Sequence, residues 1–178
     1  MNYQTDVATE ANDIVLSRFF DAPRPLVFMA WVDPVMLAEW WGPAGFTATV
    51  DIDVREGGEM SLVMHSPEGE NYPIGGHFGE IVPNESLVMI MDASRHSAGW
   101  HEAVKAGFVE AGGRPEDYNA DPIRTLITFA DEGAGTRVIV RQTFTMATMR
   151  DAHIKLGSGV GWSGSFNKLD AVLERAGG

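Results

Sequence analysis

The stretch of this sequence that most constrains its fold is residues 161–175, close to the C-terminus. Trp162, Phe166, Leu169 and Leu173 recur at steps of four, three and four residues, which places them on one side of an α-helix. A helix with such an aromatic face has to bury it, and in a strand-rich chain its partner is a sheet. The periodic stretch therefore predicts a long C-terminal helix that covers a sheet formed by the preceding residues.

Most of the preceding chain shows the period-two alternation of half-buried strands. Strands are predicted at residues 13–20, 46–54, 60–64, 72–82, 86–91, 123–130 and 136–144. Short turns join most of them, which indicates an antiparallel sheet, and two short helices are predicted at residues 25–31 and 34–41. The predicted fold class is α+β, with a curved sheet of six to seven antiparallel strands wrapped around the C-terminal helix.

The chain of 178 residues suits one domain with a sizeable core. Residues 1–12 are polar and aperiodic, and we expect them to form a loose N-terminal arm before a single domain at residues 13–176. Residues 92–122 interrupt the strands with an insertion that includes a predicted helix at residues 98–111. Excursions of this length are usually lids or partner surfaces.

The composition narrows the classes of partner. Thirteen Lys and Arg against 25 Asp and Glu give a net charge of -12, which disfavours binding to nucleic acid or to an anionic membrane surface. The absence of cysteine excludes disulfides and thiolate-ligated zinc. Neither a signal peptide nor a membrane-length apolar stretch is evident, so we expect a cytoplasmic protein, with a homodimer left open.

Several motifs resemble the SRPBCC (START-like) superfamily and, within it, the family related to the activator of the heat-shock-protein ATPase. The most specific is Asp33-Pro34 leading to Trp40-Trp41-Gly42-Pro43. Further matching segments lie at residues 18–31, 53–58, 76–83, 135–137, 150–152 and 161–169, so that the resemblance spans nearly the whole chain. The insertion at residues 92–122 is longer than the family pattern.

This resemblance implies a helix-grip fold with a cavity between the sheet and the long helix. Superfamily members bind lipids, hormones or polyketides there, and a few catalyse cyclisation or hydrolysis. The first hypothesis is therefore the binding of a small hydrophobic or amphipathic molecule. A cyclase- or hydrolase-like enzyme is the alternative, and a stress-related, co-chaperone-like interaction protein is the third. Whether the chain is an enzyme is left open, with binding favoured because the predicted walls are apolar.

The candidate ligand-binding residues share an inward strand phase, a flat indole face or a place along the C-terminal helix. Flexible methionine thioethers adapt to varied apolar ligands, and a tryptophan can line a pocket entrance. The candidates are Trp40, Trp41, Met60, Met64, Tyr72, Phe78, Met89, Met91, Gln142, Ser158, Gly159, Trp162 and Phe166. No catalytic, metal or cofactor motif is found, and no cofactor is predicted.

Other polar residues carry weaker hypotheses. An enzyme would need His77, Glu80, Tyr72 or Arg141 to converge on the cavity. Arg95, His96 and His101 lie at the start of the insertion, where a polar side chain could contact the polar head of a ligand. The favoured interpretation is that they are exposed in a loop.

The C-terminal helix is also expected to break. Four glycines between residues 157 and 164 each weaken a helix by about 1 kcal/mol relative to alanine. We therefore predict a break or kink near residues 157–161. The alternative is an unbroken helix whose small residues leave a cavity beside Ser158, Gly159 and Trp162.

Overall fold

The computed structural model describes residues 3–178. In this range the strands are β1 (Asp6–Glu10), β2 (Asp13–Phe20), β3 (Thr47–Ile52), β4 (Glu59–His65), β5 (Asn71–Val82), β6 (Ser86–Asp92), β7 (Ile123–Glu132) and β8 (Gly135–Thr143). The helices are α1 (Arg24–Val32), α2 (Pro34–Trp40), α3 (Ala98–Glu110), α4 (Ala147–Lys155) and α5 (Ser158–Gly177), with a 3-10 turn at Pro115–Asp117. None of these helices is long and apolar enough to cross a membrane.

The strands form one open antiparallel sheet in the order β1-β2-β8-β7-β6-β5-β4-β3. The sheet curves around the C-terminal helices, so the predicted α+β helix-grip fold is confirmed, with eight strands rather than six to seven. Alternate residues of β2 are buried, as their period-two pattern predicts, and Phe20 meets Phe166 of α5 edge-on at 5.5 Å between ring centroids. Phe166 and Leu169 are both fully buried on the predicted face of α5.

The additional strand is β1, so the expectation of a loose N-terminal arm is wrong for Asp6–Glu10. These residues pair with β2 in antiparallel register, with Val7 opposite Leu16. All five residues are exposed, although Val7 lies close to Gly159 of α5. A strand that buries neither face needs no apolar alternation, and its sequence carries no period-two signal.

A buried ion pair holds this end of the sheet to α5. Arg18 is 1% exposed and points inward from β2. Its guanidinium donates to the carboxylate of Asp170, to Asn167 Oδ1 at 2.7 Å and to Thr5 Oγ1 at 3.2 Å. Burial raises the pKa of Asp170, and the charge of Arg18 opposes that shift. Removal of either partner would leave a charge without compensation in the interior, so the pair fixes the position of α5 over β2.

The predicted break in the C-terminal helix is confirmed. α4 ends at Lys155, and Gly157 adopts a left-handed backbone with φ of 96° before α5 starts at Ser158. Glycine takes this conformation without the steric cost that a Cβ imposes. α4 and α5 are therefore two separate helices, and no continuous helix passes through their junction.

The Gly75-Gly76 pair marks a close backbone approach rather than a bulge. Pairing of β4 with β5 is regular through this point, and the register shift lies further on, between Phe78 and Ile81 of β5. A Cβ at Gly76 would lie 1.8 Å from the carbonyl oxygen of Ile90, so no other residue fits there without a backbone shift.

The insertion folds as a helix that joins the main body. Ser97 caps α3 by accepting a hydrogen bond from the Trp100 amide at 3.2 Å. Val104 and Phe108 are buried on one side, as their spacing predicts. The backbone of α3 approaches α4 closely at Gly107, where a Cβ would lie 3.4 Å from the Cα of Ala152. The insertion therefore builds a second layer beside the helix junction.

Candidate functional site

A cavity with a volume of about 460 Å³ lies at the junction of α4 and α5. Leu156, Gly157 and Ser158 of the junction form one side of it. The floor is formed by the C-terminal ends of β4 and β6 and by the N-terminal end of β5. The start of the insertion forms the far wall. A second cavity, beside α3, measures about 20 Å³ and has room for about one water molecule, so it is not a ligand site.

Two tryptophans form the wall nearest α2. Trp41 follows the C-terminus of α2 and meets Trp162 of α5 edge-on, with ring centroids 5.5 Å apart. Behind them Trp162 stacks on the buried Trp31 at 6.1 Å, and its Nε1 donates to Gln142 Oε1 at 3.1 Å. These contacts fix the Trp162 ring, so this wall is rigid and aromatic.

The floor of the cavity is made of flexible and aromatic side chains from the sheet. Met64 lies on β4, Tyr72 and Ile74 lie on β5, and Met91 lies on β6. The Tyr72 hydroxyl donates to Glu70 Oε2 at 2.7 Å, and this hydrogen bond, with burial and the charge of Glu70, raises the pKa of Tyr72. Tyr72 is therefore a neutral phenol whose polar tip is already paired.

Gln142 is a buried amide that points inward from β8, as its phase predicts. It is 6% exposed and accepts the Trp162 hydrogen bond. Its Nε2 lies 3.5 Å from Thr125 Oγ1, which in turn donates to the Met91 sulfur at 3.2 Å. The chain thus satisfies this amide internally, and its role is to hold Trp162 in place.

The far wall comes from the insertion and from α4. The His96 ring lies 4.3 Å from the Trp100 ring and 5.8 Å from the Tyr72 ring, measured between centroids. The His153 ring of α4 lies 5.8 Å from the Trp100 ring. Burial, with a smaller effect from the charge of His101, lowers the pKa of His96 to about 4. Burial, with a smaller effect from His96, lowers the pKa of His153 to about 4. Both imidazoles are therefore neutral at pH 7.

Three buried side-chain nitrogens in the cavity wall have no hydrogen-bond partner within the described part of the chain. In the described residues, five buried side-chain nitrogens lack a hydrogen-bond partner, and three of them belong to wall residues. These are Trp41 Nε1 and the two ring nitrogens of His96. Among the other polar wall residues, Tyr72, Gln142 and Ser165 form hydrogen bonds within the chain.

The structure places seven of the thirteen candidate residues in the wall: Trp41, Met64, Tyr72, Met91, Gln142, Ser158 and Trp162. Five others are packed in the core behind it: Trp40, Met60, Phe78, Met89 and Phe166. Trp40, for example, is fully buried, and its Nε1 donates to the Ala30 carbonyl at 2.9 Å. A Cβ at Gly159 would lie 3.2 Å from Val7, so this residue faces β1 instead of the cavity.

Several wall residues were missed or misjudged from sequence. His96 is 9% exposed, so the favoured interpretation of an exposed loop histidine is wrong. Trp100 and His153 complete the same wall and had not been proposed as lining residues. For Trp100 the only signal in the sequence is an enrichment in aromatic and histidine side chains at the start of the insertion, and His153 lies outside that segment, on α4.

The polar residues suggested for an enzyme do not meet. His77 and Glu80 are exposed on β5, outside the cavity wall. Arg141 forms ion pairs with Asp13 at 2.7 Å and with Glu10 at 2.8 Å. Of the four, only Tyr72 reaches the cavity. Within residues 3–178, no three His, Asp or Glu side chains are grouped so that they could hold a metal ion.

Comparison with known proteins adds a family match. The profile described as activator of Hsp90 ATPase homolog 1-like protein matches residues 21–174. A solved structure from Chromobacterium violaceum is 26% identical, with a TM-score of 0.69 over 92% of this chain and 97% of that one. A protein from Mycobacterium smegmatis is 24% identical, with a TM-score of 0.77 over 97% and 99%. An AHSA1 protein from Silicibacter pomeroyi is 24% identical, with a TM-score of 0.66 over 92% and 99%. No curated protein matches the sequence.

Proposed function

The chain belongs to the family of activator of Hsp90 ATPase homolog 1-like proteins, and we propose that it binds a small apolar or amphipathic molecule in the cavity at the α4–α5 junction. The observation that carries this proposal is the cavity itself. Its volume of about 460 Å³ lies within the range of about 300–1,000 Å³ that is usual for small-molecule sites. Its lining is mainly apolar and includes five aromatic and two thioether side chains.

The lining favours binding over bond cleavage. A catalytic site needs titratable groups at hydrogen-bonding distance from one another, and the residues suggested for cyclase or hydrolase chemistry are dispersed. A co-chaperone-like role is supported only by the description of the family. The cytoplasmic location and the homodimer stay predictions.

A substitution that fills the cavity tests the proposal. Gly161 lies in the wall on α5, and a Cβ built there would have no atom within 4 Å. A leucine at this position would start from this open Cβ position in the cavity wall. Gly99 on α3 also has open space around its Cβ but does not line the cavity. Gly99→Leu is therefore a matched control for Gly161→Leu.

We expect the wild-type protein and Gly99→Leu to bind the neutral probe N-phenyl-1-naphthylamine saturably at one site, as measured by its fluorescence. Gly161→Leu should weaken this binding at least tenfold because the side chain occupies the site. The proposal fails if the wild-type protein shows no saturable binding of this probe or of simple naphthalenes. Equal affinity of the two variants would also contradict it.

A further inference from the structure

The far wall of the cavity holds an imidazole whose hydrogen-bonding capacity is unused. His96 is 9% exposed, and both ring nitrogens are buried without a partner. A buried polar group left unpaired costs about 1–3 kcal/mol, so buried polar groups in native proteins are nearly always paired. We therefore expect the His96 ring to form hydrogen bonds with a partner from outside the protein chain.

The orientation of this ring is set before any ligand arrives. Trp100 and Tyr72 pack against it with centroid distances of 4.3 and 5.8 Å. The loop that carries it is anchored by the His96 amide, which donates to the Ala93 carbonyl at 3.0 Å. His101 strengthens this anchor, since its ring is 3.1 Å both from the Tyr118 hydroxyl and from the Ser94 carbonyl. A fixed polar group of this kind gives specificity without an ordering cost on binding.

The surroundings of His96 favour an uncharged ligand group. A buried ion without a counter-ion costs several kcal/mol, and no residue with a permanent charge lies in the wall. Arg95, the neighbouring cation, is exposed and lies against Gly75 outside the wall. The ring itself is neutral, because burial lowers the pKa of His96 to about 4.

A neutral imidazole offers one donor and one acceptor. A hydroxyl group is the simplest partner that satisfies both, because it also donates and accepts. The rest of the wall, with Trp41, Trp100 and Trp162, offers flat apolar faces to the body of the ligand. On the basis of the proposed binding function, we infer that the cavity recognises an uncharged aromatic hydroxyl compound and seats its hydroxyl group against His96.

The inference is tested with three probes that share the naphthalene ring system: naphthalene, 2-naphthol and 2-naphthoate. Their affinities for wild type and His96→Phe are measured by displacement of N-phenyl-1-naphthylamine at pH 7. We expect the preference for 2-naphthol over naphthalene to fall about tenfold or more in His96→Phe, the worth of one hydrogen bond of about 1.4 kcal/mol. Naphthalene itself should bind both proteins alike, and 2-naphthoate should bind wild type more weakly than 2-naphthol.

The exposed His77 on β5 provides a control, since His77→Phe should leave the preference unchanged. His96→Gln, which keeps a donor and an acceptor, should restore part of it. A readout on the wild-type protein alone is the nitrogen NMR resonances of the His96 ring. These should shift when 2-naphthol is added and change much less with naphthalene.

The possible failures are distinct. If wild type binds neither N-phenyl-1-naphthylamine nor the naphthalenes, the proposed binding function is wrong. If it binds them but His96→Phe keeps the same preference, or the His96 resonances respond equally to both compounds, only the role of His96 is wrong. Tighter binding of 2-naphthoate than of 2-naphthol would overturn the inference that the ligand group is uncharged.

Discussion

At the scale of single residues, His96 and His153 link the cavity to the stability of the protein. Both rings are held neutral, with pKa values lowered from 6.5 to about 4. In the unfolded chain both return to ordinary values, so between about pH 6.5 and pH 4 the unfolded state binds more protons than the folded state. The stability that depends on their neutrality is therefore complete above pH 6.5 and is lost as the pH falls towards 4.

We expect His96→Phe to make the unfolding free energy less dependent on pH across this window. The variant takes up one proton fewer on unfolding. The slope of its unfolding free energy against pH is therefore smaller by at most about 1.4 kcal/mol per pH unit. Urea denaturation of wild type and variant at several pH values between 4 and 7 measures the difference. His77→Phe serves as the exposed control. Parallel curves for wild type and His96→Phe would show that His96 is not held neutral by the fold.

The alternation of residues along a strand predicted which side of the sheet each side chain faces. It did not predict which of the inward-facing side chains line the cavity. Met60 and Met64 share one face of β4, yet Met60 is packed in the core and Met64 lines the cavity. Which of them meets the empty space depends on where α5 starts, and the left-handed turn at Gly157 sets that point. The burial of His96 likewise depends on Tyr72, 24 residues earlier in the sequence, and no local pattern reports such a contact. Arg18 shows the same limit, because its inward phase is visible but its partner Asp170 is not.

At the scale of elements, the junction between α4 and α5 gives opposite expectations for two neighbouring glycines. Gly157 has a φ of 96°, whereas Gly161 lies within α5 with open space around its Cβ position. Gly157→Ala should lower the unfolding free energy by about 1–2 kcal/mol, because alanine resists the left-handed conformation. Gly161→Ala should raise it by up to about 1 kcal/mol through helix propensity.

Thermal and urea unfolding of the two variants measure this contrast. Gly157→Asn adds a check, since asparagine tolerates the left-handed region better than alanine and should cost less. A change of the same sign at both positions would mean that the break is not fixed by the backbone conformation of Gly157.

Elements with one buried face were predictable and elements without one were not. β2, β3 and α5 each alternate or repeat with the period of their structure, because one face meets the core. β1 has no such face, and the sequence interpretation treated it as a loose arm. The helix break was predictable for a different reason, since the low helix propensity of glycine acts locally.

At the scale of the whole molecule, we expect residues 13–176 to behave as one domain that includes the insertion. α3 packs on α4 through Gly107 and Ala152, and its Trp100 lies in the wall of the cavity. Far-UV circular dichroism and tryptophan fluorescence should therefore report the same urea midpoint. Amides of α3 and β7 should also lose protection from hydrogen exchange together. An earlier transition confined to α3 would instead identify residues 92–122 as a separate unit.

The open sheet has a consequence for how copies of this chain meet. β1 and β3 stand at its two ends, and in the described part of the chain each presents one row of backbone groups to no other strand. Strand edges of this kind invite pairing between molecules and can seed fibrous aggregates. Here Asp6 and Glu10 lie on one edge and Asp51 on the other, in a chain of net charge -12. Contact between two such edges would bring carboxylates together. We therefore expect electrostatic repulsion to oppose aggregation by strand pairing between molecules at high concentration.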